Sequence, residues 1–266
     1  GVNDATIRVL AAEGCDVVIP RGQGCCGALS LHTGRAGEAA RFARRTIAAF
    51  EAAQVDAIVV NSAGCGSAMK EYAGLFRGAA AGPGNADWAG RAERLSSKVR
   101  DLSEFLASLP PGGDGDAAAA DGTGRAVRHP LPVRAVYHDA CHLGHAQGIR
   151  QQPRDLLRAI PGLELVELAD AGTCCGSAGV YNLVQPAAAS ELGARKAAAV
   201  LATGAQLVIS ANPGCSLQIS SAIAAAGAAE PPALVHTAEV LDASLRGLPV
   251  SSLTSRADRG QPADSA

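Results

Sequence analysis

Two Cys-Cys-Gly triplets, Cys25-Cys26-Gly27 and Cys174-Cys175-Gly176, stand 149 residues apart in a chain of 266 residues, and each is followed about forty residues later by a further cysteine, Cys65 and Cys215. The register extends beyond the triplets. Asp56-Ala57-Ile58-Val59-Val60-Asn61-Ser62-Ala63-Gly64-Cys65 aligns with Gln206-Leu207-Val208-Ile209-Ser210-Ala211-Asn212-Pro213-Gly214-Cys215 at an offset of 150, one residue different. Ser103-Glu104-Phe105-Leu106 likewise resembles Ala238-Glu239-Val240-Leu241. Self-similarity over so long a period means two copies of one module. Cys141 has its counterpart before residue 1, so a whole module reads Cys141, Cys174, Cys175 and Cys215, four thiols. The first residue is Gly and the only methionine is Met69, from which the chain is expected to be an N-terminally truncated piece of a longer protein.

The rest of the composition excludes more than it assigns. Apolar residues make up 48% and charged residues 18%, which is too hydrophobic for a disordered tail. Basic and acidic residues number 23 and 25, a net charge of −2 that gives no electrostatic reason to expect nucleic acid. No apolar run reaches the ~18 residues of a membrane span, and Gly1–Leu10 carries Asp4 and Arg8 where a secretion signal would be apolar. With no export signal, a disulfide framework is the weaker use for eight cysteines, and metal or redox chemistry the stronger.

Short apolar, β-branched runs at Asp56–Val60, Val133–Tyr137, Leu163–Val166 and Leu207–Ser210 predict buried strands, with Gly14–Val18 as a further strand-like segment. Helices are predicted over Gly37–Ala53, Trp88–Leu106, Ala187–Ala202 and Cys215–Ala226. Alternation of the two predicts an α/β fold, each module a small three-layer domain on a parallel sheet. The expected boundaries are a first module over 1–109, a Gly/Pro/Ala-rich linker over 110–132, a second module over 133–246 and a disordered tail over 247–266. Cys65, Cys141 and Cys215 then follow strand ends, the edge where open α/β sheets bind ligands and where helix N-termini favour anions. Gly27 and Gly176 are expected to let the backbone approach a bulky inorganic ligand.

Zinc sites usually draw on close pairs such as C-x2-C, whereas these separations are long and the one short pair is adjacent. Adjacent cysteines can each bind a different iron of an iron-sulfur cluster, so the pattern favours a cluster, with zinc as the alternative. A vicinal disulfide fits one Cys-Cys pair but poorly explains two in register. Cys15 lies outside the repeat and is expected to be a buried small hydrophobe. His138 and His142 flank Cys141, with His145 nearby, and are candidates to hydrogen-bond cluster sulfur or tune the charge near it. His32, Tyr72 and Tyr181 rank below them as site-lining residues, and His236 is expected only beside a helix cap.

The triplets with their later cysteines resemble the cysteine-rich CCG domain, shared by one of the subunits of heterodisulfide reductase and by iron-sulfur subunits of several flavin-linked dehydrogenases. Within that group Arg21–Gly34, His138–His142 and Cys174–Asn182 resemble the iron-sulfur subunits of glycolate oxidases, and the resemblance spans about Gly1–Leu245. It implies an electron-transfer subunit: a separate flavin (FAD) subunit oxidises a 2-hydroxy acid, and electrons pass through clusters here, of [4Fe-4S] type, toward a quinone-type acceptor. Such a subunit works in the cytoplasm or on the cytoplasmic face of the membrane. Carried over by position, Cys141, Cys174, Cys175 and Cys215 hold the second cluster, and Cys25, Cys26 and Cys65 hold the first with one ligand from upstream. The family's N-terminal ferredoxin-like region, with C-x2-C-x2-C spacing, is absent from these residues. Where the reductase has C-x2-C at the last cysteine, this sequence has Ser62 and Asn212, which points to electron relay rather than disulfide reduction. The same domain occurs in lactate-utilisation and glycerol-3-phosphate dehydrogenase complexes. A non-redox, zinc-stabilised assembly protein is the alternative from another class.

Overall fold

The computed structural model describes residues 1–77, 85–110 and 126–255. The first half contains α1 (Val2–Ala12), α2 (Ala28–His32), α3 (Ala36–Ala53), β1 (Ile58–Val60), α4 (Ala63–Lys70), α5 (Tyr72–Arg77), α6 (Asn85–Ser96), β2 (Val99–Asp101) and α7 (Leu102–Ser108). The second contains β3 (Val133–His138), α8 (Cys141–Gly144), α9 (Gln151–Arg158), β4 (Leu163–Val166), α10 (Tyr181–Val184), α11 (Pro186–Leu201), β5 (Leu207–Ser210), α12 (Pro213–Ala225), β6 (Ala233–His236), α13 (Thr237–Leu245) and α14 (Ser251–Thr254).

Among the described residues all strand pairings are parallel: β1 with β2 in one sheet, and β4-β3-β5-β6 in the other. In the larger sheet the chain leaves β3 toward β4 on one side and returns to β5 on the other. That reversal opens a crevice beyond the carboxyl ends of β3 and β5, where His138 and Ser210 are register partners. Strand alternation sends Val133, Ala135 and Tyr137 into one core and Val136 into another. Helices α9 and α13 cover the first face and α11 and α12 the second, which gives the three layers the sequence predicts.

The two modules do not fold side by side as separate bodies. Helix α1 packs on α13 of the second module, and α7 packs on α9, so each module contributes helices to one shared core containing Val9, Leu102, Leu157 and Leu241. Equivalent caps mark the repeat. Asp101 caps α7 by accepting from the Ser103 N–H at 2.7 Å, and His236 caps α13 through Nδ1 accepting from the Ala238 N–H at 3.0 Å. In both, the glutamate at the third helical position, Glu104 or Glu239, accepts from the cap residue's own N–H. This explains the Ser103–Leu106 and Ala238–Leu241 likeness.

Several boundaries differ from expectation. The helix predicted over Trp88–Leu106 is interrupted by β2, because Val99 pairs with Ile58 and Asp101 starts a new helix. Gly14–Val18 joins no ladder; Cys15 and Val17 instead lie against the shared core. Strand β6 carries little sequence signal, since Ala-Leu-Val-His after Pro231-Pro232 is short and poor in β-branched residues. Of the expected linker, 111–125 lies outside the described residues, but Leu131 is fully buried and the His129 N–H donates to Ser244 O, so packing begins before residue 133. Of the expected disordered tail, 256–266 lies outside the described residues, whereas Leu248, Val250 and buried Leu253 pack on the shared core. No helix among the described residues is long and apolar enough to cross a membrane.

Candidate metal centre

The second site assembles at the crevice beyond β3 and β5. Cys141 opens α8 directly after β3, Cys215 lies in the first turn of α12 directly after β5, and Cys174 and Cys175 arrive from the loop after β4. Positions at helix starts favour thiolate over thiol. The four sulfurs form a run of contacts from Cys141 to Cys174 to Cys175 to Cys215. In each contact one thiol is pulled down and its partner pushed up: Cys174 falls through its contacts with Cys141 and Cys175, while Cys141 rises. Cys215 is brought to about 5 by Cys175 first and then by His138 and Asn212, against the effect of burial. Shared protons of this kind are what a bound metal displaces.

The first site repeats part of the plan: the sulfurs of Cys26 and Cys65 meet, while Cys25, next in the chain, is exposed. Contact with Cys26 brings Cys65 to about 6, and Cys26 is pushed well above its ordinary value, first by that contact and then by burial. Tyr72, fully buried, fixes the pair by donating its hydroxyl to Cys26 O at 2.7 Å. A cavity of about 210 Å³ adjoins it, lined by Cys26, Gly27, Leu31, Ala68 and Tyr72 among others.

The two triplet glycines have the same pair of tasks. The N–H of Gly27 donates to Cys25 Sγ and that of Gly176 to Cys174 Sγ, each at 3.4 Å. Both sit at positive φ, 82° and 94°. A Cβ on Gly27 would stand 3.1 Å from the Ala39 backbone, and one on Gly176 would stand 2.5 Å from Ala189 O. Among the protein's own atoms, the close approach that demands glycine is by the backbone of α3 and α11.

The residues standing where a further cysteine was sought serve the last thiol of each site. Asn212 Nδ2 donates to Cys215 Sγ at 3.3 Å, and Ser62 hydrogen-bonds Cys65. Asn212 also reaches across the modules, its Oδ1 accepting from the Gly64 N–H at 3.2 Å, while the Ala63 N–H donates to Ala211 O at 2.9 Å. His236 adds a third tie, Nε2 to Asn61 O at 2.7 Å, so it is a link between the sites as well as a cap. The turns that lead into Cys65 and Cys215 thus meet across the modules.

Of the candidate histidines, His138 is 1% exposed and one of its ring nitrogens forms a group with the sulfurs of Cys175 and Cys215, all within 4.8 Å of one another. His142 places Nδ1 3.6 Å from Cys141 Sγ and meets His32 of the first module edge-on, ring centroids 5.3 Å apart. His145 instead faces Gly172 O and Arg150. Tyr181 begins α10 beyond the second triplet. Cys15 is only half-buried, away from both sites and packed against the shared core, and burial raises its pKa.

Two further residues belong to no motif of the sequence. Lys196 is 2% exposed, donates to Asp170 O at 3.1 Å and lies near Cys174 and Cys175; burial, first, lowers its pKa. Its one sequence signal is a charge on the buried stripe Ala189, Gly193, Ala197, Val200 of α11. Arg154, also buried, grips Asp139 between His138 and Cys141. A cluster of soft thiols, some pulled toward thiolate, flanked by a buried imidazole and a buried lysine amine fits an anionic metal-sulfur group.

Comparison with known proteins gives the same pattern a name. The model of the CCG cysteine-rich domain matches residues 1–70 and 135–220. Similar proteins include a probable glycolate oxidase iron-sulfur subunit of Bacillus subtilis, 38% identical over 239 residues, 90% of this chain and 50% of that one. Lactate utilization protein A of Geobacillus kaustophilus is 32% identical over 91% of this chain and 92% of its own length. The corresponding protein of Shouchella clausii is 33% identical over 84% and 85%. The chain therefore spans about half the length of the first relative and most of the other two.

Proposed function

From the premise that the chain belongs to the CCG cysteine-rich family, we propose that it is an iron-sulfur electron-transfer subunit of an oxidoreductase complex. Cys141, Cys174, Cys175 and Cys215 would hold one cluster, and Cys25, Cys26 and Cys65 would take part in another. A cluster of [4Fe-4S] type supplies one-electron storage and release at a potential its surroundings set. The observation that carries the reading is the gathering of four cysteines from three separate segments of the chain at one sheet edge, with a Cys26–Cys65 contact at the corresponding place in the first module.

The chain's own residues do three things there. The Gly27 and Gly176 amides, Asn212 and Ser62 direct hydrogen bonds at thiolate sulfur, which stabilises negative charge. The amine of buried Lys196 lies beside Cys174 and Cys175, whose negative charge favours its protonated form while burial opposes it. The contacts of Asn212, Ala63 and His236 hold the two sites at a fixed separation, as relay between them requires.

The flavin-bearing partner would oxidise a 2-hydroxy acid, and a quinone-type acceptor at the cytoplasmic membrane face would receive the electrons. The relative named for glycolate oxidase supports glycolate. Those named for lactate utilization support lactate as the second reading. Iron, zinc and acid-labile sulfide measured on protein purified without oxygen, with an EPR spectrum, test the cluster. Iron and sulfide in equal amounts support it, and zinc without sulfide overturns it. Glycolate or lactate oxidation by the flavin protein that co-purifies separates the two substrates.

A further inference from the structure

We propose that His138 is a direct ligand of the metal-sulfur group in the second site, binding iron through a ring nitrogen beside Cys175 and Cys215. The inference rests on the iron-sulfur reading above and goes beyond it by adding a nitrogen donor to an all-sulfur site. His138 is the last residue of β3, and strand alternation sends it to the same face as Val136, into the layer that also contains Cys175 and Cys215. One ring nitrogen lies within 4.8 Å of both sulfurs. The side chain is 1% exposed, and among the described residues no nitrogen or oxygen hydrogen-bonds Nδ1 or Nε2; the polar partner of the ring is the Cys215 sulfur.

A buried imidazole nitrogen left without a partner is costly, and a metal bound there would satisfy it. A neutral imidazole ring carries one lone pair. That lone pair borders thiolates on a buried face, the surroundings in which imidazole serves as a metal ligand. His142 differs: it is half-exposed, and its Nδ1 faces Cys141 Sγ at 3.6 Å, a contact to a sulfur at the rim. A neutral imidazole on an iron carries less negative charge than a thiolate in the same place, so H138C would lower the potential of the second site.

The test is pulsed EPR of the full chain, reconstituted without oxygen, with histidine alone labelled with ¹⁵N, in whichever of the dithionite-reduced or ferricyanide-oxidised states is paramagnetic. A C25S/C26S background confines the signal to the second site, and the wild-type chain is measured alongside in case that background folds poorly. The expected result is one ¹⁵N coupling of the size a direct bond gives, retained in H142Q and lost in H138Q, with a lower potential in H138C. Iron and sulfide present with only weak nitrogen couplings, or a strong coupling that survives H138Q, would overturn the ligand assignment and leave the cluster reading intact. A wild-type chain without iron and sulfide would overturn both.

Discussion

Arg154 binds both carboxylate oxygens of Asp139, Nη1 to Oδ1 at 2.8 Å and Nη2 to Oδ2 at 2.6 Å, with both residues buried. Asp139 lies between His138 and Cys141, so the fork clamps the loop that delivers two groups to the second site. The same guanidinium reaches Glu167, ahead of Cys174, with Nε 3.0 Å from each carboxylate oxygen. Replacing Arg154 with Met leaves Asp139 buried without its cation, a loss on the order of 3 kcal/mol. R154M is therefore expected to unfold at lower urea and to lose iron from the second site faster on dilution. R154M/D139N should recover part of the stability; a double variant no better than R154M would show that the pair is not the cause.

Cys174 sits in the middle of the sulfur run, and Cys15 sits outside it. C174S is expected to abolish metal binding at the second site, and C15S to leave metal content near wild type, with a small change in stability from packing. Iron and sulfide analysis of both variants decides. Equal losses from the two would place Cys15 in a site.

What the sequence made legible follows from what repeats. Cys25, Cys26, Cys65 and their counterparts could be paired by register, and four predicted strands occur where the apolar runs Ile58–Val60, Val133–His138, Leu163–Val166 and Leu207–Ser210 stand. Non-local pairing was hidden. Nothing in Val2–Ala12 says that α1 will pack on α13, 225 residues away at their closest ends, and nothing in Val99–Asp101 outweighs the helical residues around it until Ile58 is placed alongside. Asn212 and Ser62 read as missing cysteines, because a hydrogen bond to sulfur leaves no spacing signature. Arg154 is one arginine among many in the sequence; its importance comes from Asp139, which only the turn after β3 brings to it.

The triplet glycines are expected to differ in tolerance despite their identical motif. G176A puts a Cβ 2.5 Å from Ala189 O at φ 94°, whereas G27A puts one 3.1 Å from Ala39 at φ 82°. The left-handed backbone costs each about 1–2 kcal/mol, and the clash adds roughly 1–3 kcal/mol at Gly176. Thermal melts should show G176A the less stable, with α11 displaced and iron lost from the second site. A G27A variant as damaged as G176A would mean that the left-handed backbone, common to both, is the larger factor.

Asp101 supplies the pH dependence. It is 1% exposed, and burial raises its pKa from 3.8 to about 6 although the Ser103 and Glu104 backbone favours the charged form. A carboxyl whose folded pKa exceeds its unfolded value contributes stability that is full below pH ~4 and is lost as the pH rises through ~6. D101N keeps an oxygen to cap α7 and does not titrate. The stability of D101N minus that of wild type should therefore increase by about 1.5 kcal/mol between pH 5 and 7.5 and then level off. Urea unfolding at four pH values across that range measures it. A difference that stays flat would mean Asp101 remains ionised throughout, its charge balanced within the capping box, and D101A would then lose only the cap, about 1 kcal/mol at every pH.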